Sequence, residues 1–317
     1  MKQIAIIGAG NWGTALAIVA ARAGHNVNLW SRNPARINSI AANVTVTSDL
    51  NEALHNASMI LFAAPSHTAR ELLAAMSPSL PEAGIIVSVS KGIEVETGKR
   101  ISEIVKDVVG SAYPFVCLSG PSFAKEVVAG HPTAIVAASK DSAAARTVQN
   151  DLSFENLRIY TNSDVVGTEI GGSVKNVMAI AVGMTTGLGF GSNSVAALIT
   201  RGLAEITRLA RREGAQIETL MGLAGLGDLV LTCTGSLSRN RFVGEELGKG
   251  KTLAEIMAGM NEVAEGINTA RAVKKLADRA GLEMPITNEV NAVLYEGKPA
   301  RDAVAELMSR PLREEIN

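Results

Sequence analysis

Through the first half of the chain, short apolar runs alternate with stretches of helical spacing. The runs are Gln3–Ile7, Asn26–Trp30, Met59–Ala63, Ile85–Val89, Phe115–Leu118, Thr133–Ala138 and Leu157–Tyr160, with Thr14–Ala23 and Arg100–Val109 reading as helices between them. Strands separated by helices make βαβ units, so the pattern predicts a buried, doubly wound parallel sheet of the Rossmann type. After about Asp164 the period changes: Val195, Leu198, Ile199, Leu203, Ile206 and Leu209 recur at helical spacing. The expected class is α/β, with a Rossmann-like N-terminal domain over residues 1–167 and an all-helical domain over 168–317.

Where the first strand ends, Gly8-Ala9-Gly10-Asn11-Trp12-Gly13 opens the first helix. In that context the first glycine permits a tight turn, the second lets backbone approach a pyrophosphate, and Gly13 lets helix pack on strand. The negative charge then sits at the helix N-terminus, against unpaired N–H groups and the helix dipole. A glycine-rich turn without a ligand is the bland alternative, and a flavin satisfies the same motif. The residue that reads the ribose belongs at the end of the second strand, which here runs Leu29-Trp30-Ser31-Arg32. There is no carboxylate for a 2′-hydroxyl. A hydroxyl at Ser31 and a guanidinium at Arg32 suit a 2′-phosphate, so NADP is favoured and NAD remains open. An arginine that merely solvates a loop is the other reading.

Composition narrows the class. Of 317 residues, 47% are hydrophobic and 19% charged, enough apolar content for a large core and too much for disorder. With 30 Lys+Arg, 31 Asp+Glu and the signs interspersed, no stripe for nucleic acid is expected. Glycines interrupt the first apolar run and the longest later ones, Val177–Val182 and Val195–Ile199, are short, so neither an export leader nor membrane insertion is expected. Two separated cysteines, Cys117 and Cys233, fit a reduced cytoplasmic setting. His, Cys and carboxylates do not cluster at ligand spacings, so no metal is predicted.

The four histidines all precede residue 132, so a helical second domain must draw its proton donor from Lys, Tyr or a carboxylate. Lys91, after the strand Ile85–Val89, emerges where open α/β sheets place ligands. Lys175 lies in Gly171-Gly172-Ser173-Val174-Lys175-Asn176-Val177, read as the start of a long apolar helix. Burial there lowers an ammonium's pKa toward neutrality, useful for an acid/base; a snorkelling surface lysine is the alternative. Gly225-Leu226-Gly227-Asp228-Leu229 supplies a carboxylate to orient a lysine or hydroxyl, and Ser238-Arg239-Asn240 can fork a phosphate or carboxylate. Each of these singly has a reading as a cap, turn or solvated charge.

Together, in this order, the segments resemble the bacterial-type glycerol-3-phosphate dehydrogenases over nearly the whole chain. Leu118-Ser119-Gly120-Pro121-Ser122-Phe123-Ala124 and Lys91-Gly92-Ile93-Glu94 belong to the same pattern. The resemblance implies interconversion of dihydroxyacetone phosphate and sn-glycerol 3-phosphate, with Lys175 as acid/base. By the same resemblance Lys91, Gly120, Ser122, Lys175, Asp228, Ser238, Arg239 and Asn240 surround the substrate. Gly8, Gly10, Asn11, Trp12, Gly13, Arg32, Lys91, Ala124, Arg239, Val263 and Glu265 line the cofactor, and a homodimer supplying phospholipid synthesis is implied. Asn11 stands where many relatives carry serine. Between Arg36 and Val44 the chain is shorter than the family, lacking a Tyr-Leu-Pro-like segment that flanks the adenine end. Two rivals remain: a lysine-using dehydrogenase of the β-hydroxyacid class, and a protein that senses NADP without turnover.

Overall fold

A computed structural model of the chain describes residues 1–37, 40–260, 263–312 and 314–315. Eight strands form one sheet: β1 (Gln3–Ile7), β2 (Asn26–Trp30), β3 (Val44–Thr47), β4 (Met59–Phe62), β5 (Ile85–Ser88), β6 (Phe115–Ser119), β7 (Thr133–Ala138) and β8 (Leu157–Asn162). Their order is β3-β2-β1-β4-β5-β6-β7-β8, and the first six run parallel. The order reverses direction between β1 and β4, the switch point at which such sheets bind dinucleotides.

Two details differ from expectation. Strand β3 was not among the runs read from the pattern; its four residues, Val-Thr-Val-Thr, are only partly buried apart from Thr47 and offer little apolar signal. The sheet is also not parallel throughout, because β7 pairs antiparallel with β6 and β8 follows β7 in parallel. A parallel return needs a full crossover, and the segment between β6 and β7 carries only the five-residue helix Ala124–Val128. Of the shortened segment between Arg36 and Val44, residues 38 and 39 lie outside the described residues.

From Val165 the chain is helical, and the central element is Val165–Gly187. It starts earlier than the glycines at 171–172 suggest, so Lys175 lies about three turns in rather than in the first turns. Asp164 caps the start by accepting from Gly167 N at 2.9 Å. Gly171 is tolerated within the helix because the backbone of Ala224 packs against it: a Cβ there would stand 2.7 Å from Ala224 O. By length and composition this helix could cross a membrane, but 94% of its apolar window is buried inside the protein, as befits a core helix.

Close approach sets its partners. Gly183 and Gly187 face Gly244 and Gly248 of the helix Arg239–Gly248; a Cβ at Gly183 would lie 2.1 Å from Arg241 O, and one at Gly244 2.0 Å from Ile180 O. Backbones in such contact fix the second helix against the C-terminal turns of the first. One apolar core, including Val174, Val177, Ile180, Ile206, Leu229, Val243 and Val273, wraps the central helix, and separate cores line the two sheet faces.

Candidate active site

The glycine-rich turn has the shape a dinucleotide requires. Gly8 has φ +119, and a Cβ there would stand 2.8 Å from the Ala63 backbone. A Cβ at Gly13 would meet Gly8 O at 1.9 Å, so strand and helix touch through glycine alone. Gly10 differs: a Cβ there would meet nothing within 4 Å, and the helix Asn11–Arg22 that follows has no side-chain cap. Open space above Gly10 beside uncapped N–H groups fits a pyrophosphate. Gly10 has an ordinary φ of −72, which alanine adopts without strain. Gly10→Ala is therefore expected to leave the melting temperature unchanged while weakening NADPH binding roughly tenfold or more, because the methyl occupies the approach path. Fluorescence titration beside a thermal melt checks it; unchanged affinity would move the pyrophosphate elsewhere.

Around this turn, Asn11 is exposed and Trp12 half-buried, its ring packed on the sheet core. Arg32 is exposed beyond β2, and Ser31 Oγ accepts from Asn33 N at 3.2 Å. Ala124 opens the short helix after β6. Val263 is exposed just ahead of the helix Glu265–Ala280, whose first residue reaches back across the domains: Glu265 Oε1 accepts from Ser66 N at 3.0 Å. Burial pushes the Glu265 carboxyl up, against the opposing pull of that N–H and of nearby Arg239.

The predicted acid/base is buried. Lys175 is 5% exposed; its Nζ donates to Asp228 Oδ1 at 2.6 Å and to Thr232 Oγ1 at 2.7 Å. Lys91 Nζ takes the other oxygen, Asp228 Oδ2, at 2.6 Å and donates to Gly120 O at 3.3 Å. One carboxylate, itself 1% exposed, thus bridges two ammonium groups from different domains. Desolvation, opposed by Asp228 and assisted by Lys91, brings Lys175 down to about 8. Burial therefore outweighs the carboxylate, a contest the chain's residue order alone left open. Lys91 is the more exposed of the two, with 17% of its side chain accessible against 7% for Lys175.

Asp228 is held at the head of the helix Asp228–Thr234, after a wide π-helical turn at Leu223–Gly227. Thr232, one turn on, donates to Asp228 O at 2.6 Å and so presents its oxygen to Lys175. Sequence reading gave Thr232 no role; the signal available was its i,i+4 spacing from Asp228 in an otherwise apolar segment.

Gly120, with φ +136, closes against Ile135 and turns its carbonyl to Lys91 and Ser122, whose Oγ donates to it at 3.0 Å. Ser238 caps the helix Arg239–Gly248 by accepting from Arg241 N at 3.2 Å. Arg239 is exposed on its first turn. Asn240, the other residue of the pair expected at the phosphate, lies next to Arg239 on this turn. It is 9% exposed, donates to Asn176 Oδ1 at 3.0 Å and accepts from Gly266 N at 3.0 Å, joining three helices behind Lys175. Asn176, quoted in the lysine motif without a role, is the other half of that junction.

A dinucleotide turn at the carboxyl ends of the strands, with a buried lysine and carboxylate packed beside it, is the arrangement of a nicotinamide-dependent dehydrogenase. The model of the NAD-dependent glycerol-3-phosphate dehydrogenase C-terminus matches residues 164–305, and that of the N-terminus matches 3–44 and 38–145, two stretches that overlap at the shortened segment. The chain is 53% identical to glycerol-3-phosphate dehydrogenase [NAD(P)+] of Koribacter versatilis, covering 100% of this chain and 99% of that one. It is 48% identical to the enzyme of the same name from Citrifermentans bemidjiense, with 99% of each covered. The crystal structure of glycerol-3-phosphate dehydrogenase from Coxiella burnetii superposes with a TM-score of 0.94 at 40% identity, over 98% of this chain and 99% of that one. The chain belongs to the NAD-dependent glycerol-3-phosphate dehydrogenase family and is an oxidoreductase using NAD(P).

Proposed function

We propose that the chain reduces dihydroxyacetone phosphate to sn-glycerol 3-phosphate with Lys175 as proton donor, supplying glycerol phosphate for phospholipid synthesis. The observation that carries this is the Lys91–Asp228–Lys175 bridge at the domain junction, with Lys175 at about 8 and so readily able to give and take a proton near neutrality. When bound, the nicotinamide supplies the hydride that reaches C2. As the C=O π electrons withdraw onto oxygen, Lys175 Nζ gives it a proton and Asp228 and Thr232 hold the resulting amine in place. Lys91 polarises the substrate from the open side, while Ser122 and the Gly120 turn line its approach and Ser238 fixes the helix that presents Arg239 to the phosphate. Phosphate binding energy is used there to align the reacting carbon. Asn240 serves through Asn176 and Gly266, keeping the helices of Lys175 and Glu265 in register.

Residues 1–167 form the dinucleotide domain in this reading and 168–317 the catalytic one. The cofactor preference is NADPH over NADH, supported by the absence of a carboxylate at the end of β2 and the exposed guanidinium of Arg32. The buried thiols of Cys117 and Cys233 support a reducing cytoplasmic setting, and the family resemblance supports a homodimer. Absorbance loss from NADPH and from NADH on adding dihydroxyacetone phosphate tests reaction and preference together, with β-hydroxyacid aldehydes as controls. In the same assay Arg32→Ala is expected to raise KM for NADPH about tenfold and leave that for NADH unchanged, the loss of one charged hydrogen-bonding partner. Cofactor binding without oxidation would favour the sensing role instead.

A further inference from the structure

Between Lys91 and Arg100 the chain makes a short loop that links the two domains. Ile93 bridges Arg100 in antiparallel fashion, and Glu94 N donates to Lys99 O at 2.9 Å, so the loop's two ends move together. On the sheet side Glu94 accepts from Arg70 Nε and Nη2, both at 2.9 Å. On the helical side Lys275 Nζ and Arg279 Nη1 each reach a loop carbonyl, Val95 O and Thr97 O, at 3.3 Å.

The direct connection from this loop to the helix of Lys175 is a buried carboxylate. Glu169 lies in that helix, six residues before Lys175 and so roughly 9 Å along its axis. Its side chain is 5% exposed. Oε1 accepts from Ser102 N at 2.7 Å, while Oε2 accepts from Ser102 Oγ at 2.6 Å and Arg100 Nη1 at 2.9 Å. All these donors belong to the sheet domain. Close by, the same helix lies directly on the lysine stem: a Cβ at Gly172 would be 2.6 Å from Ser119 Oγ and 3.8 Å from Lys91 Cγ.

A buried ion pair contributes little net stability over apolar packing of the same volume, so its placement calls for another explanation. Hydrogen bonds of set length and direction hold a helix at one height, where apolar surfaces allow it to slide. We propose that Glu169 is a positioning residue for the reaction: its clasp with Arg100 and Ser102 holds the Lys91 loop and the Lys175 helix where both ammonium groups reach Asp228. The inference rests on the reading of Lys175 as proton donor.

In Glu169→Gln, kcat/KM for dihydroxyacetone phosphate is expected to fall by roughly tenfold or more. The alkaline limb of kcat/KM moves downward from about 8, because a Lys175 no longer held at Asp228 loses the carboxylate that raises it, and this outweighs the relief from a displaced Lys91. A lowered melting temperature with unchanged kinetics and an unshifted limb overturns the proposal, since that is what a merely structural carboxylate does. If Glu169→Gln does not fold, Ser102→Ala removes one donor and keeps the ion pair; a smaller fall with the same downward shift supports the clasp, and unchanged kinetics overturn it. Lys175→Ala, assayed alongside, separates the two readings. Near-normal turnover there removes the proton donor itself, whereas normal Glu169→Gln kinetics beside an inactive Lys175→Ala overturn the clasp alone.

Discussion

Lys175→Ala is expected to lower turnover of dihydroxyacetone phosphate by about a hundredfold or more while the protein still folds. The fold survives because Asp228 keeps Lys91 at 2.6 Å, so no buried carboxylate is left without a counter-charge. What disappears is the proton at the developing alkoxide, which the more exposed Lys91 does not replace while bound to the other carboxylate oxygen. NADPH oxidation at saturating substrate, beside a thermal melt, reads both effects. Near-normal turnover would take Lys175 out of the chemistry.

Protonation gives the same prediction a pH signature. Reduction uses the ammonium form, so wild-type kcat/KM falls as pH rises through about 8, while oxidation of glycerol 3-phosphate, which uses the amine, rises there. Stability moves too. With the folded value at about 8 and an ordinary lysine at 10.5, the unfolded chain holds more proton between the two, so this group's contribution to stability increases with pH across that window. Its cost is present in full below the window. Lys175→Ala flattens this rise, which denaturant melts at pH 8 and pH 10 would compare.

Asp228→Ala carries the second large effect, this time on stability as well as rate. Removing one partner of a buried ion pair typically costs about 3–5 kcal/mol, because the remaining charge is stranded. Here two ammonium groups lose their shared carboxylate at once. Loss of a proton from Lys175 relieves the repulsion, so the destabilisation is greatest at low pH and eases as pH rises toward about 8, above which the intact protein gains equally. Activity falls about a hundredfold or more, since neither lysine is then oriented. Thermal melts at pH 6 and pH 9 test the sign; equal losses of melting temperature at both would mean that Asp228 does not hold the lysines as charged partners.

Much of this site was legible before any fold was known. Gly8, Gly10 and Gly13 between an apolar strand and a helix announce a pyrophosphate turn because only glycine permits those backbone approaches. Lys175 in an apolar segment signals an unusual ammonium because burial of that group is costly. Strand β3 escaped notice because an edge strand buries little, and the early start of Val165–Gly187 because its glycines look like breakers until the Ala224 backbone is seen to fill the space beside one of them. Asn240, expected beside Arg239 at the phosphate, also makes a buried junction with Asn176 and Gly266 that adjacency in sequence does not announce. On a helix, neighbouring residues point about 100° apart, so Arg239 is exposed while Asn240 turns into the core.

Local order of residue types thus determined the class of cofactor, the sheet-then-helix arrangement and which polar groups were out of place in apolar surroundings. Those properties depend on period, glycine and burial cost, all of which act over a few residues. Tertiary structure alone decided that Asp228 bridges Lys91 to Lys175, that desolvation overcomes the carboxylate's pull, and that Glu169 reaches Arg100 and Ser102 across the domains. Partners 53, 67, 69 and 137 positions apart meet only when helices and sheet have packed, and electrostatic balance is set by the distance and exposure that packing creates.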